Sequence, residues 1–85
     1  MVKTGKSGKI IIYSTPTCGW CRVAKKYFND KKIRYKEIDV TRDRNAAKEM
    51  VRISGQRGVP VISINNNIVV GFDKHEVNRL LGISR

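Results

Sequence analysis

A chain of 85 residues can form one small domain around a single core, and its apolar runs are too short to span a membrane or to serve as a signal peptide. Its two cysteines are too few for the several bridges of a small secreted scaffold, which favours the reducing cytoplasm as its location. With 18 lysines and arginines against 7 acidic residues, the net charge of +11 favours anionic partners such as acidic proteins.

An apolar strand and an amphipathic helix open the predicted fold. Ile10–Tyr13 is a continuous, mostly β-branched run, which is typical of a strand covered on both faces. After a loop from Ser14 to Thr17, apolar side chains recur at helical spacing between Trp20 and about Lys31. The residues expected on the buried face of this helix are Val23, Ala24, Tyr27 and Phe28.

A second strand and a second helix are predicted next. Residues 34–40 alternate between apolar and charged side chains toward their end, which is typical of a half-exposed strand. Thr41 is the expected N-cap of the following helix, and residues 55–58 interrupt that helix. Its expected buried stripe consists of Ala46, Ala47, Met50 and Val51.

A hairpin and a capped helix complete the predicted order. Val61–Ile64 and Ile68–Val70 are β-rich runs on either side of three asparagines, which tolerate turn conformations. Asp73 and Glu76 have the spacing of a capping box, which predicts the start of a last helix. The apolar residues of that helix are Val77, Leu80 and Leu81.

The predicted elements amount to an α/β fold of order β-α-β-α-β-β-α. Residues 1–8 predict a flexible N-terminal segment, and residues 9–85 predict a single domain. The first two strands are joined by a helix and should therefore be parallel, whereas the hairpin adds an antiparallel pair. We expect a four-stranded mixed sheet flanked by three helices.

The two cysteines, Cys18 and Cys21, lie at the junction of the first strand and the first helix. The unpaired N–H groups and partial positive charge of a helix N-terminus favour the thiolate of Cys18 over its thiol. Cys21, one turn later, can attack a mixed disulfide on Cys18 and release the partner in reduced form. Arg22 and Lys25 either turn their charged groups toward the sulfur or face solvent. The pair predicts a thiol–disulfide oxidoreductase with Cys18 as nucleophile and Cys21 as resolving thiol.

Other uses of the same residues stay open as alternatives. Structural zinc takes four ligands, whereas the chain offers two cysteines and one histidine, His75, so we expect no metal site within one chain. A metal or iron–sulfur cluster that Cys18 binds across a dimer is one alternative. A nucleic-acid-binding module is another, although basic residues occur in every segment and no recognition motif is present. Trp20 either contacts clients or packs on the loop that contains Pro16.

Two loops outside the cysteine motif carry weaker signals. Pro60 follows Val59 at the entrance of the third strand, where a cis bond can occur and where the Val59 backbone can pair with an extended substrate. Gly71-Phe72-Asp73 leads into the last helix, where glycine permits close approach and helix N–H groups can hold a carboxylate.

Together, these motifs resemble those of glutaredoxins and of the short glutaredoxin-like redoxins of the thioredoxin superfamily, from about Lys9 to Ile83. The resemblance implies a thioredoxin-type fold in which Pro60 is cis and Val59 binds the main chain of the substrate. We further expect a monomer without a tightly bound cofactor or a membrane partner, which reduces client disulfides with glutathione or another thiol as co-substrate. The resemblance also implies that the γ-glutamyl end of glutathione is received by Gly71, Phe72 and Asp73.

The departures from the glutaredoxin pattern mostly concern glutathione. Gly19-Trp20 stands between the cysteines in place of Pro-Tyr, and Thr15 stands where a lysine commonly binds the glycine carboxylate of the tripeptide. Gly58 replaces the threonine usual before Val-Pro, and Val70 replaces the first of two glycines. Other redoxins of this group are re-reduced by a thioredoxin-reductase-type flavoprotein. The reductant therefore stays open between glutathione and such an enzyme.

Overall fold

A computed structural model describes residues 9–82, so the predicted flexible segment 1–8 lies outside the described residues. The helices and strands follow the predicted order β-α-β-α-β-β-α, which confirms the predicted fold class. Their bounds are β1 Ile10–Ser14, α1 Gly19–Asp30, β2 Lys36–Asp39, α2 Arg44–Ser54, β3 Val61–Ile64, β4 Asn67–Val70 and α3 Lys74–Leu81.

The strands form one mixed sheet in the order β2-β1-β3-β4. β1 and β2 are parallel, with Ser14 opposite Asp39, whereas β3 is antiparallel to both β1 and β4. The Val40 N–H extends the parallel pairing by donating to the Ser14 carbonyl at 3.0 Å. Because the carboxyl ends of parallel strands meet at one edge of the sheet, the loops after β1 and β2 lie side by side there.

The two faces of the sheet carry separate apolar clusters. On one face, side chains of β1, β3 and β4 pack against α1 and α3, and on the other face side chains of β1 and β3 pack against α2. The buried residues of the first cluster are Ile10, Ile12, Ala24, Phe28, Ile62, Ile64, Val69 and Val77. Those of the second are Tyr13, Ala46, Met50 and Val61.

The hairpin turn uses two asparagines rather than three. Asn65 and Asn66 have left-handed backbones, with φ of 51° and 72°, and two such residues are what the tightest hairpin turns require. Asn67 is therefore already the first residue of β4, and its side-chain amide donates to the Ile64 carbonyl at 3.1 Å.

The predicted N-cap of α2 is wrong. Asp43 caps this helix, since its carboxylate accepts the Ala46 N–H at 3.0 Å. The hydroxyl and the N–H of Thr41 instead bind the Asp39 carboxylate, at 2.5 and 2.9 Å, directly after the end of β2. The strand ends at Asp39 and leaves three residues for a turn before Asp43 becomes the capping residue.

The buried faces of α1 and α2 are narrower than predicted. Val23 is 44% exposed and Val51 is 36% exposed, whereas Ala24 and Phe28 are fully buried. Val23 and Ala24 are adjacent, so the helix turns the first toward solvent as it turns the second toward the sheet.

We expect Phe28→Ala to lower the free energy of unfolding by about 3–5 kcal/mol, because it leaves a cavity in the core. Val23→Ala is the matched control on the same helix and should change stability by less than about 0.5 kcal/mol, because that side chain lies on the exposed surface of the helix and its removal leaves no cavity in the core. Urea unfolding followed by circular dichroism measures both variants. Equal losses in the two variants would contradict the orientation of α1.

Candidate functional site

Cys18 occupies the N-cap position of α1, with an extended backbone at φ −87° and ψ 116°. Its sulfur accepts a hydrogen bond from the Cys21 N–H at 3.1 Å. This N–H belongs to the first turn of the helix, where the backbone itself offers no acceptor. The donor therefore faces the sulfur on which a thiolate would form.

Cys21 is buried, with 1% of its surface exposed, whereas Cys18 is partly exposed. Burial, with added contributions from the hydrogen bond and charge of Cys18, raises the pKa of the Cys21 thiol to about 11. A backbone hydrogen bond from Thr15 and the charge of Lys25 act in the opposite direction. Cys21 is therefore a protonated thiol at neutral pH, and of the two sulfurs Cys18 is the one that a large disulfide can reach.

The loop before β3 lies directly against Cys18. The Cys18 thiol donates to the Val59 carbonyl at 3.7 Å, and the Val59-Pro60 peptide bond is cis, as the resemblance implies. The carbonyl of Pro60 accepts the Gly71 N–H at 2.8 Å. The structure thus brings together three of the predicted sites: the cysteines, the Val-Pro pair and the start of the segment before α3.

The three residues before α3, Gly71 to Asp73, make different contacts. Gly71 has a left-handed backbone with φ of 78°, a conformation that favours glycine. The Phe72 ring lies 5.5 Å from the ring of Tyr27, centroid to centroid, and so packs on α1. Asp73 is the N-cap of α3, since its carboxylate accepts the Glu76 N–H at 3.2 Å. Gly71 is thus the residue of this segment that is hydrogen-bonded to the Val-Pro loop.

Trp20 stands in the first turn of α1, between the two cysteines, and 63% of its surface is exposed. Such exposure agrees with a contact surface for clients, the first of the two alternatives for this side chain. An aromatic ring this exposed is available to bury apolar area in a complex.

A polar cluster that no sequence pattern predicted joins α1 to both parallel strands. The Lys25 ammonium and the Ser14 hydroxyl both donate to one oxygen of Glu37, at 2.8 and 2.7 Å. Hydrogen bonds from Lys25 and then Ser14 hold the pKa of Glu37 below its ordinary value. Lys25 thus directs its charged group to a carboxylate and not, as one alternative had it, to a cysteine sulfur.

A second missed feature is the contact between Gln56 and Gly58 in the loop before Val59. The Gln56 side-chain amide accepts the Gly58 N–H at 2.6 Å and donates to the Gly58 carbonyl at 3.0 Å. A Cβ atom at position 58 would lie 2.8 Å from the Gln56 side-chain oxygen. Gln56 therefore fills the space that the threonine usual at this position would take.

Neither a metal centre nor a membrane segment is found in the part of the chain that the structure describes. No three His, Cys, Asp or Glu side chains among residues 9–82 are grouped so that they could hold a metal ion, and His75 is exposed on α3. None of the helices within this range is long and apolar enough to cross a membrane.

The family model and the relatives that match this chain are all described as glutaredoxins or glutaredoxin-like proteins. The family model described as Glutaredoxin matches residues 10–69. An uncharacterized glutaredoxin-like 8.6 kDa protein in the rubredoxin operon of Clostridium pasteurianum is 47% identical over 72 residues, which cover 85% of this chain and 96% of that protein. The chain also matches human mitochondrial glutaredoxin-2 at 31% identity, but spans only 45% of its length.

Solved structures share the fold over most of this chain. Methanoredoxin of Methanosarcina acetivorans superposes with a TM-score of 0.81 at 28% identity, over 89% of this chain and 86% of that one. The glutaredoxin-like NrdH-redoxin of Escherichia coli, described as having a thioredoxin-like activity profile, superposes with a TM-score of 0.76 at 29% identity. That match covers 85% of this chain and 93% of the redoxin.

We expect iodoacetamide at neutral pH to alkylate Cys18 and to leave Cys21 unmodified, as mass spectrometry of the digested protein would show. In Cys18→Ala the pKa of Cys21 should fall, because the hydrogen bond and charge of the Cys18 sulfur are lost, but stay above its ordinary value because burial is the largest cause. The ultraviolet absorbance of the thiolate, followed against pH, measures this shift. Equal alkylation of both cysteines in the parent protein would contradict the burial of Cys21.

We expect Glu37→Ala to cost about 1–3 kcal/mol of stability, because the buried Ser14 hydroxyl loses its acceptor, and Glu37→Gln to cost less. Because the pKa of Glu37 is lowered in the folded protein, its charged carboxylate stabilises the fold at pH values above the pKa that Glu37 has in the unfolded chain. This stabilisation is lost as the pH falls through the pKa of Glu37 in the folded protein. The difference between the parent and Glu37→Gln in urea unfolding should therefore shrink in acid. A difference independent of pH would contradict the ion pair with Lys25.

Proposed function

The chain belongs to the glutaredoxin family, and from this premise we propose that it is a small dithiol–disulfide oxidoreductase in which Cys18 is the nucleophile and Cys21 the resolving thiol. The observation that carries the proposal is the contrast between the cysteines. Cys18 is reachable and its sulfur receives a backbone hydrogen bond, whereas Cys21 is buried and protonated one turn away. We place this activity in the reducing cytoplasm, where a dithiol stays available.

The first step is attack of the Cys18 thiolate on one sulfur of a client disulfide. A new bond forms between the Cys18 sulfur and that client sulfur, the client S–S bond breaks, and the second client sulfur leaves as a thiolate that takes a proton from solvent. Val59 lies at hydrogen-bonding distance from Cys18, so its main chain is placed to pair with an extended client segment beside the attacked bond.

The second step is attack of Cys21 on the Cys18 sulfur of the mixed disulfide. Cys21 gives up its proton, the bond between Cys18 and the client breaks, and the client leaves as a second thiol. The hydrogen bond and the charge of Cys18 that help to raise the pKa of Cys21 are lost once Cys18 is bonded to the client. Cys21 is thus easier to deprotonate when it has to attack. Two electrons pass to the client, and the Cys18–Cys21 disulfide remains.

The oxidised pair has to be reduced again, and glutathione or another small thiol is the proposed co-substrate. Gly71, Phe72 and Asp73 are the residues proposed to receive the γ-glutamyl end of glutathione; of these, Gly71 is hydrogen-bonded to the Val-Pro loop. Re-reduction by a thioredoxin-reductase-type flavoprotein is the second candidate. It is supported by the departures at Thr15 and Gly58 and by the structural similarity to NrdH-redoxin.

The decisive assay is NADPH consumption during reduction of a small mixed disulfide, coupled in parallel to glutathione with glutathione reductase and to thioredoxin reductase. Cys18→Ser should abolish turnover with either reductant, because the remaining thiol, Cys21, is buried and protonated at neutral pH. Cys21→Ser should accumulate a mixed disulfide on Cys18, detectable as an added client mass without reducing agent. The relative turnover with the two reductants identifies the electron donor.

The matched control for the assay is Val23→Ala, an exposed change on the same helix that should leave both rates unaltered. Turnover that survives Cys18→Ser would refute the proposed chemistry. Visible absorbance or stoichiometric metal that depends on Cys18 in the purified protein would instead support the cluster-carrying alternative.

A further inference from the structure

All seven aspartate and glutamate side chains are already engaged within the fold. Asp43 and Asp73 cap helices, and the other five form ion pairs. The cations in these pairs are Lys25, Lys26, Arg42, Arg52 and Arg79. No other lysine or arginine among residues 9–82 forms an ion pair within that range, so the charge of these side chains is available to other molecules.

Three of these unpaired cations surround one groove beside α2. Arg44 and Lys48 of α2 and Arg57 of the loop before β3 are exposed around a depression of about 470 Å³. No ion pair involves any of the three within residues 9–82. The apolar side chains that line the groove include Val40, Met50 and Val51. An apolar lining ringed by cations is complementary to a segment that carries both apolar and acidic side chains.

The groove lies on the same edge of the sheet as the cysteines. Val40, which lines it, follows β2 and is hydrogen-bonded to Ser14 at the end of β1, four residues before Cys18. Arg57 is two residues from Val59, whose carbonyl accepts the Cys18 thiol at 3.7 Å. A polypeptide in the groove can therefore continue along the Val59 backbone to the reacting sulfur.

We propose that this groove, formed around Arg44, Lys48 and Arg57, docks an acidic segment of the client polypeptide next to its disulfide. The inference rests on the proposed oxidoreductase function and adds to it the class of client and the place of recognition. The groove lining contains no aromatic side chain on which a base could stack, which favours a polypeptide over single-stranded nucleic acid. A small inorganic anion would leave the apolar part of the groove uncovered.

The test compares two synthetic peptides that share the same internal disulfide and one flanking leucine. In the acidic peptide the other flanking residues are Asp and Glu, and in the neutral peptide they are Ser and Gln. Pre-reduced protein is mixed with excess peptide, and thiol release is followed in a single turnover, so that no reductant is needed. The parent protein should reduce the acidic peptide faster.

The groove variant is Arg44→Glu with Lys48→Glu, and the control is Arg34→Glu with Lys36→Glu. The control changes the net charge equally at two exposed positions, one two residues before β2 and one at its first residue, toward the opposite edge of the sheet. We expect the groove variant to lose at least about 10-fold in rate on the acidic peptide, and the control to lose less than about 3-fold through the weaker overall field. Both should reduce the neutral peptide and a small mixed disulfide at the parent rate.

Folding of the groove variant is checked by circular dichroism and thermal unfolding. Arg44 is the first residue of α2, where a glutamate interacts favourably with the helix dipole, so the helix should persist. If the double variant is unfolded, Arg44→Ala with Lys48→Ala replaces it, with a smaller loss expected on the same peptide.

Several outcomes would overturn the inference. Equal losses in the groove and control variants would assign the effect to net charge alone, and equal rates of the parent on the two peptides would remove the acidic preference. Binding of a labelled single-stranded RNA that the groove variant loses, with peptide rates unchanged, would assign the groove to nucleic acid. If the parent fails to reduce even the small mixed disulfide, the oxidoreductase function itself is refuted and this inference with it.

Discussion

The hydrogen bond from the Cys21 backbone N–H to the Cys18 sulfur caps helix α1 at its start and holds the two cysteines next to each other. Helices are usually capped by an oxygen of Ser, Thr, Asp or Asn, whereas here the capping atom is the sulfur assigned to the chemistry. The helix that carries this cap is fixed in place by its later residues, because Lys25 binds Glu37 and Phe28 is buried in the core. The same hydrogen bond therefore fixes both the position of the Cys18 sulfur and the start of helix α1.

Burial then gives the two sulfurs different roles in the proposed reaction. The nucleophile requires access to the client, and Cys18 is partly exposed, next to the carbonyl of Val59 and two residues before the exposed Trp20. The resolving thiol requires protection from other oxidants and from clients, which Cys21 obtains from the core that covers it. The same burial keeps Cys21 protonated until its neighbour has reacted. In the proposed reaction the exposed Cys18 therefore reacts first and the buried Cys21 second.

The order of helices and strands was predictable because apolar periodicity, asparagine turns and the Asp73 cap act over a few residues. The same holds for the two cysteines, whose spacing is local. The Ser14–Glu37 contact was not predictable, because it depends on the register of two strands far apart in the chain. The choice of Asp43 over Thr41 as a cap likewise depends on where β2 ends, since both residue types can cap a helix.

The engagement of every aspartate and glutamate side chain determines how the surface charge responds to pH and salt. Hydrogen bonds from neighbouring side chains lower the pKa of Glu37, Asp39, Glu49 and Glu76, so these groups stay ionised into acid. Histidine, the side chain that ordinarily titrates near neutrality, occurs once. The net positive charge of the protein is thus nearly constant across physiological pH. Its attraction to anionic molecules therefore varies with the salt concentration, because salt screens the charge without changing it.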